Sequence, residues 1–199
     1  MNDKFTTNVG KHQHLIHRIP AGMMHDDDST ELFACRTSKK MFAISKGTTI
    51  PFNQLEPLKR GQIFERLLSD SVAMNDLKHL NQKQAVEQFA FCVFGAADSE
   101  ADFCKNGDLK EADNFICSNN CMCLKWSSKK ITVDGMQLTS RQFEIAQLLA
   151  SDFCDKQIAD KLQITLSTLD THKKILFEKC KVNSKTALVM KLIEQKIIQ

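Results

Sequence analysis

Apolar residues recur at helical spacing along the last third of the chain, in four runs of similar length joined by short polar connections. In the third run, over residues 166–179, the apolar positions and one histidine are spaced by three or four, which is typical of a helix with one buried face. We therefore predict four helices between residues 136 and 199. The predicted inward face of the third helix comprises Leu169, His172, Ile175 and Leu176.

Polar residues at the ends of these runs predict where the helices begin. Thr139, followed three residues later by Gln142, forms a capping box, in which each side chain accepts a hydrogen bond from the other residue's backbone N–H. A second helix is predicted to start at Asp155 and a fourth at Ser184. Only residues 163–165 separate the second helix from the third. Two short helices joined by so tight a turn are typical of a helix-turn-helix, whose later helix enters the major groove of DNA.

The same segment resembles the LuxR-type (GerE-like) helix-turn-helix family. The resemblance rests on LTSR at residues 138–141, QIADKL at 157–162, IT at 164–165, TLxxH at 168–172 and KCKVNSK at 179–185. It covers the C-terminal third of the chain and implies a transcription regulator that binds double-stranded DNA, in this family often as a dimer. The sequence departs from the family pattern at Gln142, Asp152, Cys154, Gln157, Cys180 and Lys185.

The polar face of the third helix is the predicted DNA-contacting surface. The resemblance places base-edge contacts at Asp170, Thr171 and Lys174. Lys174 can donate to guanine O6 and N7, and Asp170 can accept from cytosine N4. Contacts with phosphates, which position the protein without reading the base sequence, suit Thr165, Ser167, Lys173, Lys179, Lys181 and Lys185.

Two alternatives to DNA recognition stay open for this face. A row of charges on a helix is often only a solvated surface, and the scaffold can also serve as a protein-interaction adaptor. Such an adaptor would contact a partner such as RNA polymerase without reading a DNA sequence. We find no phosphate-binding loop, nucleophile elbow or pair of catalytic carboxylates, so we do not predict an enzyme.

The fourth helix is apolar around most of its circumference. Ala187, Leu188, Leu192 and Ile193 are predicted to face inward, which leaves Val189, Met190 or Ile197 partly without a partner. An exposed apolar strip favours self-association, so we predict a homodimer. The alternative is a final helix that the N-terminal domain covers completely.

The N-terminal domain, residues 1–130, is predicted to be mainly helical with some strand, so the whole chain is mostly α with an α+β first part. Residues 1–30 are polar and are predicted to form a loosely ordered arm, and a hairpin is predicted from residues 32–44. Pro57 and Gly61 are expected to interrupt a helical run, and a helix is predicted over residues 82–94. This domain would sense a signal or contact another protein, and its boundary with the second domain, residues 136–199, is placed near residues 127–135.

Five of the eight cysteines lie in the segment 92–123, which has little periodicity after Gly95. Such clustering suggests metal or redox chemistry in a cytosolic chain. We predict zinc held by Cys117, Cys121 and Cys123 with Cys104 as the fourth ligand, or with Cys92 in its place. An iron–sulfur cluster, a thiol switch and plain reduced cysteines remain as alternatives. Three isolated cysteines are interpreted as small buried apolar residues: Cys35, Cys154 and Cys180.

Composition and charge add two expectations. No apolar run approaches the roughly 18 residues that a membrane helix needs, and no secretion signal is evident at the N-terminus, so we expect a cytoplasmic protein. The net charge of +3 comes from the C-terminal part, because residues 136–199 contain 10 Lys and Arg against 7 Asp and Glu. This mild basic excess is compatible with a nucleic-acid partner.

Overall fold

The computed structural model describes residues 19–118, 121–195 and 197–198. Among these residues, no helix combines the length and the apolar character needed to cross a membrane. Strands and helices in chain order are β1 Thr30–Cys35, β2 Lys40–Ser45, β3 Thr48–Pro51, α1 Pro57–Leu68, α2 Ser71–Leu77, α3 Gln82–Val93, β4 Thr132–Val133, β5 Met136–Gln137, α4 Ser140–Ala150, α5 Asp155–Leu162, α6 Leu166–Lys179 and α7 Lys185–Glu194. Short 3-10 turns cover Phe52–Gln54 and Met122–Lys125.

The N-terminal sheet is an antiparallel meander in the order β1, β2, β3. The predicted hairpin of β1 and β2 is confirmed, with Leu32 opposite Ala43 and both side chains buried. Strand β3 was not predicted. It follows a two-residue turn in which Lys46 and Gly47 both have positive φ, 50° and 74°, as tight hairpins with right-handed twist require.

The helices of the N-terminal part differ from the prediction in two respects, the first being that α2 was not predicted. The expected interruption at Gly61 is wrong, because α1 continues through it as a single helix of 12 residues. The expected interruption at Pro57 is confirmed, since the helix begins there and Leu55 lies outside it. Pro57 is its first residue, where the missing N–H has no intrahelical partner to lose. The predicted helix over residues 82–94 is confirmed as α3, which starts with a capping box formed by Asn81 and Gln84.

Carboxylates hold the largely irregular chain between residues 94 and 118 against the sheet. Asp102 Oδ2 accepts from Leu32 N at 2.7 Å, and Glu31 Oε1 accepts from Asp98 N at 2.7 Å. Residues 19–30 belong to this region as well, since Ala21 N donates to Asp98 O at 2.9 Å. The prediction of a loose arm is therefore wrong for residues 19–30, and the remainder of that prediction lies outside the described residues.

Two clusters of buried apolar side chains form the interior. The first joins the sheet to α1, α2 and α3 and extends to Trp126. The second joins α4 to α7 with four buried residues from the preceding chain, Ile116, Ile131, Val133 and Leu138. The N-terminal part is thus α+β. The predicted starts of the C-terminal helices are confirmed, and the β4–β5 hairpin ahead of them was not predicted.

Candidate nucleic-acid interface and cysteine cluster

The turn between α5 and α6 has the short length predicted for a helix-turn-helix. Helix α5 ends at Leu162, and Gln163 turns the chain with a left-handed φ of 52°. Ile164 N donates to Ala159 O at 3.0 Å, which closes the end of α5. Thr165 then caps α6, because its hydroxyl accepts from Thr168 N at 3.1 Å.

Helix α6 packs on the domain through a narrower apolar stripe than predicted. Leu169 and Leu176 are fully buried and His172 is half-buried, but Ile175 is 40% exposed. The inward placement of Ile175 is therefore wrong. The stripe instead takes in the half-buried Lys173, whose ammonium group pairs with Asp155 of α5 at 2.6 Å. A long lysine stem can cover apolar surface while its charged end reaches a carboxylate.

The outward face of α6 presents polar side chains along its length. Ser167, Asp170, Thr171 and Lys174 are all exposed, and Lys181 is exposed just beyond the helix end. Lys181 closes α6 with a left-handed φ of 53°. Within the described part of the chain, the ammonium groups of Lys174 and Lys181 make no hydrogen bond or ion pair. These two positive groups can therefore meet an external anion without losing an internal partner.

Four of the predicted phosphate contacts have internal partners. Besides Thr165 and Lys173, Lys179 Nζ donates to Gln142 Oε1 at 2.9 Å and to Gln137 O at 3.0 Å. Lys185 Nζ donates to Ser151 O at 3.3 Å, beyond the end of α4. All four groups help to position the helices around α6.

Arg141 is a structural contributor that the motif contains but whose role was not predicted. Its guanidinium donates to Leu162 O at 2.8 Å, and it also pairs with Glu144 at 2.7 Å. Leu162 is the last residue of α5, where backbone carbonyls lack intrahelical donors. Arg141 thus fastens the end of α5 to α4, next to the turn.

Helix α7 leaves an apolar strip on the surface. Leu188 and Leu192 are buried, whereas Met190 and Ile193 are 54% and 48% exposed. The inward placement of Ile193 is wrong, as is that of the exposed Ala187. Ile197, predicted as a residue without a partner, is buried. The described N-terminal residues do not cover Met190 and Ile193, which argues against a completely buried final helix.

Four thiols converge between α3 and the chain that follows Phe115. The Sγ atoms of Cys92, Cys117, Cys121 and Cys123 all lie within 4.8 Å of one another. Cys92 Sγ and Cys117 Sγ are 3.9 Å apart, and Cys117 Sγ and Cys123 Sγ are 3.4 Å apart. Hydrogen bonds from Cys117, Cys123 and Cys92 lower the pKa of the Cys121 thiol well below its usual range. All cysteines lie in the described part of the chain, and none of them is in a disulfide there.

The fourth member of this cluster is Cys92 and not Cys104, which corrects the first choice made from the sequence. Cys104 lies in a turn beside β1, where its Sγ is 3.8 Å from Asp108 Oδ2. Cys92 lies in α3 and is buried. An apolar helical run around Cys92 favours core packing, and only the long-range fold reveals that the same residue faces other thiols. Of the three isolated cysteines, Cys180 is buried as predicted, but Cys154 is exposed and Cys35 is half-buried.

Comparisons with known proteins concern the C-terminal part. Residues 136–192 match the family model of the bacterial regulatory proteins of the luxR family. The oxygen regulatory protein NreC of Staphylococcus carnosus (strain TM300) is 33% identical over 61 residues. That match covers 31% of this chain and 28% of NreC, so the chain spans less than a third of this relative. No solved structure is significantly similar to the chain. Residues 136–192 are therefore a helix-turn-helix domain of the LuxR family.

Proposed function

We propose that the protein is a transcription regulator that binds double-stranded DNA sequence-specifically, with α6 in the major groove. The observation that carries the proposal is the exposed polar face of α6, presented by a three-residue turn within a LuxR-family domain. Because the matched family model describes bacterial regulatory proteins, whose DNA target lies in the cytoplasm, we place this function there. Residues 1–130 would form a separate regulatory or interaction domain, joined to the DNA-binding domain near residues 127–135.

We divide the proposed contacts of α6 by what each group has available. Lys174, Asp170 and Thr171 would contact base edges, since all three are exposed on the outward face. Asp170 also pairs with Lys173 at 3.8 Å, and the Thr171 hydroxyl donates to Ser167 O at 3.0 Å, both within α6. Lys181 and Ser167 would contact phosphates at the two ends of the helix. Four of the predicted phosphate contacts have internal partners and would mainly position α6, with phosphate contact as a secondary role: Thr165, Lys173, Lys179 and Lys185.

Selection of bound sequences from random DNA, followed by titration of two lysine variants, tests this assignment. Lys174→Ala should cost about 1–3 kcal/mol at the selected site and relax the base preference there. Lys181→Ala should weaken all sequences equally and reduce the slope of log K against log salt by about one unit. Lys83→Ala, on an exposed position of α3, is the matched control. Identical binding by all three variants and the parent would show that α6 does not contact DNA.

We also propose that the protein dimerises through α7, at least on DNA. The support is the strip of Met190 and Ile193, which are about half exposed although they are large and apolar. Met190→Glu should weaken assembly and leave the fold intact. The control is Leu58→Glu, at a 75% exposed apolar position of α1, which should not weaken assembly. Analytical ultracentrifugation with and without the selected DNA measures the difference. A strict monomer in both conditions would contradict the proposal.

A protein-interaction adaptor is the second candidate function, because the same apolar strip on α7 can dock another protein. Contact with RNA polymerase belongs to both candidates, since a regulator bound at a promoter acts through polymerase. The DNA selection separates the two: an adaptor would bind random DNA weakly and enrich no sequence.

We propose zinc as the cofactor of the protein, with the four-cysteine cluster as its candidate site.

A further inference from the structure

We infer that Cys92, Cys117, Cys121 and Cys123 bind one zinc ion with four thiolates, and that this ion fastens the N-terminal core to the DNA-binding domain. The zinc site develops the cofactor of the proposed function, and its role in joining the two parts goes beyond that function. Neither the site nor this role depends on whether α6 reads DNA. The four residues are called the thiol cluster below.

The spacing of the thiol cluster suits a single tetrahedral ion. Zinc–sulfur bonds of about 2.3 Å imply sulfur–sulfur edges of about 3.8 Å in a tetrahedron. The two measured edges, 3.9 Å from Cys92 to Cys117 and 3.4 Å from Cys117 to Cys123, bracket that value. A disulfide would need sulfurs about 2.05 Å apart, so the cluster is too open for that bond and compact enough for an ion.

The donor set favours one ion over an iron–sulfur cluster. An iron–sulfur cluster distributes its thiolates over two or more irons, so its four sulfurs cannot all be close neighbours. In this cluster every sulfur lies within 4.8 Å of every other. Four thiolates without a carboxylate form the ligand set of structural zinc sites, which keep no open position for a substrate.

The surroundings of the thiol cluster suit a buried, negatively charged centre. Four thiolates around a divalent ion leave two negative charges, which need nearby donors or cations. The ammonium group of the buried Lys129 donates to Cys92 O, and Gln88 Nε2 donates to Cys92 Sγ at 3.3 Å. Such partners around the ligands resemble the outer shell that supports metal sites.

The thiol cluster lies where the two apolar cores meet. Cys117 and Cys123 belong to the first core, but Ile116 and Leu124, the residues that flank this segment on its two sides, pack against the second core. Ser140 Oγ, in the first turn of α4, donates to Leu124 O at 2.5 Å. An ion that joins residues 117–123 to Cys92 of α3 would therefore also hold in place the chain at Leu124, which contacts the first turn of α4.

Metal analysis of the full chain, purified without chelator, tests the site. We expect about one equivalent of zinc per chain, replaceable by Co²⁺ with the sulfur-to-cobalt absorption of a tetrahedral thiolate centre. Cys121→Ser should lower the content to below about 0.2 equivalents, Cys121→His should retain it because imidazole is also a zinc ligand, and Cys104→Ser should leave it unchanged. Less than about 0.2 equivalents in the parent chain, or iron with acid-labile sulfide, would overturn the inference.

Hydrogen exchange of the full chain tests the fastening task. Removal of the ion by a chelator should speed amide exchange in residues 122–128 and in the first turn of α4. Amides in the middle of α6, far along the chain from the ligands, serve as the internal reference. Re-addition of Zn²⁺ should restore protection in the parent and in Cys104→Ser. Unchanged exchange around α4 after complete removal of zinc would overturn the fastening role while leaving the site itself in place.

Discussion

The two parts of this chain reach their folds by different routes. In residues 136–199 each helix starts at a residue that the local sequence marks, and the turn between α5 and α6 is only three residues long. In the N-terminal part, side chains far apart in sequence hold the backbone, as when Asp102 accepts from Leu32 N. Local signals can be recognised from a short window of sequence, whereas distant partners cannot. The C-terminal part is therefore easier to predict from its sequence.

Shortening one large side chain in the N-terminal core provides the strongest test of this comparison. Phe89 is fully buried in α3 and stacks on Trp126, with ring centroids 5.6 Å apart. Phe89→Ala should lower the free energy of unfolding by about 3–5 kcal/mol, because it leaves a cavity where distant segments meet. Trp126, the only tryptophan, supplies the fluorescence signal for chemical denaturation. Leu58→Ala, at an exposed position of α1, is the control and should have little effect.

A loss below about 1 kcal/mol in Phe89→Ala would contradict the central place given to this contact. The same experiment followed by circular dichroism sharpens the comparison between the two parts. If the C-terminal helices depend mainly on local signals, their share of the helical signal should persist after the tryptophan transition is complete. A single coincident transition would mean that the two cores unfold together.

The extent of correct prediction follows the same division. The predicted starts of α4, α5 and α7 are confirmed, because Thr139 and Ser184 are N-caps and Asp155 is the first residue of α5. The buried face of α6 was harder to predict, because Lys173 is half-buried through its ion pair with Asp155 whereas Ile175 is exposed. An ion pair between two helices leaves no periodic trace in the sequence.

The N-terminal part escaped prediction for physical reasons that particular residues show. Strand β3 is only four residues long and has no buried residue, so its sequence lacks an apolar alternation. Cys92 was predicted only as the alternative fourth ligand, because its neighbours in α3 are apolar, although its Sγ lies 3.9 Å from that of Cys117. Three of the four clustered thiols were nonetheless predicted, because Cys117, Cys121 and Cys123 are close together in the sequence.

A buried carboxyl group in the N-terminal part makes its stability depend on pH. Burial raises the pKa of Glu31 from 4.5 to about 9, and the negative charges of Asp113 and Asp98 add to this effect. In the unfolded chain the carboxyl ionises near its ordinary pKa, so the folded state binds one more proton between about pH 5 and 9. The contribution of Glu31 to stability is therefore present below pH 4.5 and is lost as the pH rises towards 9.

Glu31→Gln should remove this dependence, because an amide has no proton to lose. At pH 8 the variant should be more stable than the parent by at least about 1.4 kcal/mol, the free energy of one pKa unit, and near pH 4.5 the two should be equal. Denaturation at several pH values, again followed by Trp126, gives the comparison. Parallel pH profiles for variant and parent would show that folding does not raise the pKa of Glu31.

The smallest expected effect concerns the local signals of the C-terminal part, at the N-caps of α4 and α5. At α4, Thr139 Oγ1 accepts from Gln142 N at 3.1 Å and Gln142 Oε1 accepts from Thr139 N at 3.0 Å. At α5, Gln157 Oε1 accepts from Cys154 N at 2.9 Å, but the N-cap side chain offers sulfur, a weak acceptor.

Cys154→Ser should therefore stabilise the domain by about 0.5–1 kcal/mol, and Thr139→Ala should destabilise it by about 1 kcal/mol. Cys154 is exposed and outside the thiol cluster, so the serine changes neither core packing nor metal content. Thermal unfolding followed by helical circular dichroism measures both variants, and a destabilising Cys154→Ser would mean that the start of α5 depends on tertiary packing more than on its cap.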